Sequence, residues 1–151
     1  MSLTVVAGNP IVPFPPVGMI KSGSQQMTSN WQPVTNWIAD TTFPDSVVTG
    51  SNSEQLQIQG ANPVATIQVN LPFAGGKAGL QGISQQARVN VNGTRVYIWD
   101  PVSTVSGTFA VTTPANVNPG DRITVEVICS TSIGGVASSV VANGDTYVKV
   151  A

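Results

Sequence analysis

The sequence predicts an all-β sandwich or barrel, and three observations carry that expectation. Apolar and polar residues alternate with period two in successive short runs from Gln25 onward. Clusters of Gly, Pro, Asn and Asp break the alternation at intervals of roughly eight to twelve residues, the spacing of short antiparallel strands. No window of a dozen residues carries a 3.6-residue period, and helix-favouring residues are scarce: two glutamates, three lysines and four leucines. About nine or ten strands and minimal helix are expected.

Taken in order, residues 1–24 form a compositional unit. Four of the eleven prolines lie between positions 10 and 16, and proline fixes φ and lacks an N–H, so this stretch is expected to be extended. Ile11, Val12, Phe14, Val17, Met19 and Ile20 make it too apolar for a solvated tail. It reads either as an arm that docks on another surface, through Ile11, Val12, Phe14, Val17 and Ile20, or as an irregular edge laid across its own domain. Residues 25–151 are expected to form the β-domain. Gln25–Trp31, Thr35–Ala39, Ser46–Thr49, Glu54–Gln59 and Thr66–Leu71 are candidate strands separated by Pro44-Asp45, Gly50-Ser51-Asn52 and Gly60-Ala61-Asn62-Pro63 turns. Pro72–Ser84, with four glycines, is expected to be the longest loop.

The clearest local signal is Gln86–Asp100. Ala87, Val89 and Val91 alternate with Arg88 and Asn90, then Asn92-Gly93 supplies the φ > 0 pair of a type I′ turn. Val96 and Ile98 are expected to alternate with Arg95, Tyr97 and Trp99. Val102–Thr112 reads as one strand bulged at Gly107. Asn118-Pro119-Gly120-Asp121 is a turn, and Arg122–Thr131 alternates with Ile123, Val125, Val127 and Cys129 inward. Gly134-Gly135 and Asn143-Gly144 then introduce strands at Val136–Val141 and Thr146–Val150.

Composition narrows the function. Charged residues make up 9% of the chain, against roughly 25% in ordinary soluble domains. Six Lys/Arg lie scattered among seven Asp/Glu, so neither nucleic acid nor an anionic membrane is an expected partner. No run approaches the ~18 apolar residues of a membrane-spanning helix. Cys129 is alone, which precludes an intrachain disulfide, and its place in an alternating strand predicts a small inward hydrophobe. The N-terminus lacks the form of a signal peptide. An extracellular composition without an export signal fits a virus particle, assembled in the host cytoplasm and released by lysis.

Catalytic chemistry is poorly provided for. With no histidine, the commonest general base and metal ligand is missing. Asp40, Asp45, Asp100, Asp121 and Asp145 sit at turns or strand ends, where Asp bonds its local backbone. Calcium at Asp45, Asp121 and Asp145 is conceivable, but no repeated Asp motif calls for it. An enzyme is not expected, and neither is a cofactor or metal. Trp31, Trp37, Tyr97, Trp99 and Tyr147 are candidate interface or ligand aromatics; core packing is the commoner fate of such residues.

Three segments carry a family resemblance: ARVNVNGTRVYIWD at 87–100, VNPGDRITVEVIC at 117–129 and GDTYVKV at 144–150. They resemble the C-terminal half of C1q/TNF-like jelly-roll domains in bacteriophage minor tail proteins, particularly of phages infecting actinobacteria. The shared features are the Asn92-Gly93-Thr94 turn, Gly120-Asp121 opening a long strand, and Thr146-Tyr147 in the last strand. The resemblance implies a jelly-roll β-sandwich (C1q/TNF-like) with an extended N-terminal arm, assembled as a homotrimer. It also implies a non-enzymatic virion structural protein; where such domains often end a long chain, here a 24-residue arm precedes the domain and is expected to dock it on other virion proteins, of tail or capsid. Capsid decoration and a carbohydrate-binding adhesion module for host-surface glycan remain alternatives, and an immunoglobulin-like strand order is the rival topology.

Overall fold

The strands form where alternation is strongest. In a computed structural model, which describes residues 13–151, thirteen strands follow one another and no helix occurs among the described residues. They are β1 (Val17–Lys21), β2 (Gln25–Gln26), β3 (Gln32–Pro33), β4 (Trp37–Ala39), β5 (Val47–Thr49), β6 (Gln55–Gln57) and β7 (Asn62–Ala74). Then come β8 (Ile83–Val91), β9 (Thr94–Ile98), β10 (Gly107–Val117), β11 (Arg122–Thr131), β12 (Ser139–Val140) and β13 (Tyr147–Val150).

Two antiparallel sheets result. In the first, β7 is the pivot: β10 pairs along one side, while β13 and then β12 share the other. β1 lies beside β13, β4 beside β1, and β2 beside β12. In the second sheet β11 is central, with β8 and then β9 on one side. Its other side is shared by β6 and β3, and β5 lies outside β6. The long strands alternate between the sheets as the chain proceeds, β7 first, β8 and β9 second, β10 first, β11 second, β13 first. This is the winding of a jelly roll, as the family resemblance implies, and not an immunoglobulin-like order.

Alternation places one apolar face of each sheet against the other. Val17, Met19, Ile67, Val69, Leu71, Phe73, Val148 and Val150 come from the first sheet. Leu56, Ala87, Val89, Ile123, Val125, Val127 and Cys129 meet them from the second. Each large aliphatic or aromatic side chain so enclosed contributes about 1.5–3 kcal/mol relative to exposure.

Several expectations are corrected. β1 begins at Val17 and runs inside the first sheet between β13 and β4, so the sandwich includes residues assigned above to the arm. β7 is longer than Thr66–Leu71 at both ends, running through Pro63 and Pro72. Pro72 falls between the stretch of β7 paired with β13, which reaches Asn70, and that paired with β12, which begins at Phe73, and its carbonyl accepts from Val141 N–H. The loop therefore shrinks to residues 75–82. Val102 makes only an isolated bridge to Gln85, and β10 starts at Gly107. Gly107 is no bulge; a side chain there would meet the Phe73 ring at 3.0 Å. The Asn92-Gly93 turn forms with φ of 52° and 81°, but an irregularity between Val89 and Asn90 shifts the phase of β9. Tyr97 pairs with Val89 and faces the interior, while Val96 faces out. Val136–Val141 reduces to Ser139–Val140, with Val136 bridging Lys77.

Candidate functional site

The sequence-selected aromatics have different fates. Trp37 is core, 2% exposed, its Nε1 donating to Val34 O at 2.8 Å. Tyr97 and Trp99 pack edge to face, with centroids 4.9 Å apart, and Trp99 continues onto Phe109 at 5.6 Å. Trp99 Nε1 donates to Ala110 O on β10, so this cluster ties the β9 edge of one sheet to the β10 edge of the other. Both rings are half-buried and seal the open side of the sandwich. Trp31 and Tyr147 sit on opposite outer faces.

The outer face of the second sheet is charged and internally bonded. Arg88 Nε lies 2.8 Å from Glu126 Oε1, which also accepts from Asn90 Nδ2 at 2.6 Å. The Arg88 guanidinium stacks on Trp31 at 4.1 Å from the ring centroid. Arg122 reaches Gln55 Oε1. Trp31 is thus already engaged by a protein cation.

The outer face of the first sheet differs. Register aligns Ile38, Ile20, Tyr147, Asn70 and Ala110 in one row across five strands. The next row is Gly18, Lys149, Gln68 and Thr112. Phe43 lies over Gly18, where a Cβ would meet its ring at 3.0 Å. Lys149 is the one charged side chain that the described strands turn outward here, and its Nζ rests 4.2 Å from the Tyr147 ring centroid. Tyr147 OH accepts from Gln68 Nε2. Ile20 is half-buried and Ile38 is 55% exposed. The result is a broad, nearly neutral face with an apolar row at one side.

The candidate arm residues separate likewise. Ile11 and Val12 lie outside the described residues. Phe14 packs against the core beside Pro15, Gln59 and Gly60 at one end of the sandwich, where a pocket of about 460 Å³ opens. Val17 is fully buried and cannot dock on anything else. Ile20 belongs to the apolar row.

The opposite end carries a feature that sequence reading missed. Gln81, Gly82, Ile83, Ser84, Ser103, Ser130, Thr131 and Ser132 line an open pocket of about 350 Å³. Its side chains come from loop 75–82, β8, the β9–β10 connection and the end of β11, which no local pattern connects. Inside the fold, Lys21 is buried with Nζ held by Ser22 O and Gly23 O, and desolvation lowers its pKa. The Asp121 carboxylate is occupied by Asn92 Nδ2 and Asn118 N–H, in keeping with a turn role. Among the described residues, no three acidic or cysteine side chains gather as a metal site.

No protein-family model matches the sequence. No curated protein matches it either. Solved structures do match in fold. The Eiger TNF of S. frugiperda superposes with a TM-score of 0.58 at 10% identity, covering 92% of each chain. Murine APRIL superposes with TM-scores of 0.56 and 0.54 in crystals at pH 5.0 and 8.5, again at 10% identity. Those alignments cover 91% and 89% of this chain and 98% and 95% of the APRIL chains. The architecture is therefore a TNF-like jelly roll.

Proposed function

We propose that this chain is a non-enzymatic structural subunit of a bacteriophage particle, a homotrimeric minor tail protein docked by its N-terminal segment on other virion proteins. The observation that carries the reading is the outer face of the first sheet. A solvent face of that breadth ordinarily alternates charges along its strands; here a single lysine lies over a tyrosine ring, beside the row Ile38, Ile20 and Tyr147. Such a face suits burial against another copy.

The half-buried Tyr97 and Trp99 at the β9–β10 side form a second, different apolar patch. A contact between two unlike patches on identical chains is heterologous, and the proposed trimer is the case in which its rotation closes as a ring of three. The virion setting draws support from the phage-like segments and from a surface low in charge. The segment before β1 leaves from the Phe14 end, and it supplies the docking arm.

The test uses two chains, the full protein and a truncation lacking residues 1–12, which spares Phe14 and β1. Both are expected to fold and to trimerise, and only the full chain is expected to co-purify with phage particles, with immunogold label at the tail. Undiminished incorporation of the truncated chain overturns the arm. Label on the head instead transfers the protein to capsid decoration.

A further inference from the structure

We infer that the pocket at the end opposite Phe14 binds a neutral saccharide. Ser84 on β8 and Ser130 on β11 are direct cross-strand partners on the outer face of the second sheet. Ser103 flanks them, held there because Val102 bridges Gln85 on the far side of β8. Three serines thus stand abreast, with Thr131, Ser132 and Gln81 at the margin. Ser132 Oγ is occupied, accepting from Gln81 N–H and donating to Gly82 O. The hydroxyls of Ser84, Ser103, Ser130 and Thr131 and the Gln81 side-chain amide bond to no other group among the described residues. They face solvent with donors and acceptors free.

The lining selects the ligand class by what it offers. It contains no ionisable side chain, so neither an anion nor a metal ion has a charge partner. A row of hydroxyls, each both donor and acceptor, matches a ligand that is itself a row of hydroxyls. An adjoining recess is walled by Leu80 and Ile133, exposed at 87% and 82%, which suit the C–H face of a sugar ring. A peptide strand would need an unpaired sheet edge, whereas Ser84 and Ser130 lie on strands already paired. A lipid surface would use Leu80 and Ile133 but leave the hydroxyls dehydrated and unmatched.

The site is also fixed in place. Gln85, 1% exposed, points inward beneath it and donates from Nε2 to Val102 O and Thr104 O, at 2.6 and 2.5 Å. Its Oε1 accepts from Ser138 Oγ at 2.9 Å. The loop carrying Ser103 is thereby bolted to β8, so little ordering accompanies binding. This inference is independent of the trimer face and of where on a particle the chain sits.

The experiment titrates the ¹⁵N-labelled full chain with methyl glycosides of glucose, mannose, galactose and N-acetylglucosamine and their disaccharides. Saturable shifts at the amides of Ser84, Ser103 and residues 130–133, with at least one sugar and a roughly millimolar Kd, are expected. Ser84→Ala/Ser130→Ala is expected to weaken that binding by about tenfold, and Thr124→Ala, lower on the same face, to leave it unchanged. If the double variant misfolds, Ser103→Ala alone is read in its place. Silence with every sugar, shifts centred on Trp31, or equal affinity in a folded serine variant overturns the site. So does sedimentation with phosphatidylcholine vesicles in the absence of any sugar response.

Discussion

The two outer faces of the sandwich are built from strands of the same kind, yet they are finished differently. On the second sheet Arg88, Glu126, Asn90 and Trp31 satisfy one another, and Arg122 bonds across to Gln55. On the first sheet the outward residues are Ile38, Ile20, Tyr147, Asn70, Gln68, Thr112 and Ala110, with Lys149 over an aromatic face. A face meant for water gains from charge, because hydration holds it soluble. A face meant for a partner gains from neutrality, because each unpaired charge taken out of water costs several kcal/mol. In the proposed trimer the first face is the one that is buried and the second stays in solvent.

The largest effect should come from placing a charge on each face in turn. Ile20→Glu takes a carboxylate out of water in each subunit contact, which costs several kcal/mol even with Lys149 nearby, and should dissolve the proposed trimer into folded monomers. Thr124→Glu on β11 should leave assembly unchanged. Equal behaviour of the two variants in sedimentation velocity would erase the distinction between the faces.

Next in size is Glu126→Ala, which strands Arg88 Nε and Asn90 Nδ2 together. A loss of about 1–3 kcal/mol in denaturant unfolding is expected, with the trimer retained. Should assembly fail instead, the second face is part of the interface. Asn92→Ala is smaller still, near 1 kcal/mol. It removes the residue that tolerates φ of 52° and the bonds to Asp121 Oδ1 and Arg122 N–H. Its effect should fall on stability alone.

Lys21, on the inner side of the first sheet, gives a pH signature. Desolvation depresses its pKa in the folded state, so the unfolded chain binds the extra proton between the folded value and the ordinary lysine value of 10.5. Stability attributable to this group therefore rises as pH climbs through that window. Relative to Lys21→Met, the wild-type chain should gain stability on going from neutral pH toward 10.5; a constant difference between their unfolding midpoints would contradict the assignment.

Much of the fold was legible because alternation is a local property. Val89 and Ala87 on β8, and Val125 and Val127 on β11, announce their inward faces without any knowledge of partners. Where reading failed, the cause was nonlocal. Val17–Lys21 follows a run of prolines and looks like more of the same arm; only pairing with the last strand makes it core. Tyr97 and Trp99 changed sides because a single irregularity opposite Asn90 shifts every later residue by one. The aromatics stand out in the sequence, but Trp37 is spent inside the core, while Trp99 ties β9 to β10 and keeps part of its ring exposed. The serine row was invisible for a simpler reason: Ser84, Ser103 and Ser130 meet only when three separate segments are folded together.

Light scattering on the full chain, beside Ile20→Glu at the same concentration, shows whether the first face is a subunit contact. The expected masses are three times 15.6 kDa for the wild-type chain and 15.6 kDa for the variant, both with native β-sheet circular dichroism. A wild-type chain that stays at 15.6 kDa at every concentration, or a variant that remains trimeric, would contradict it.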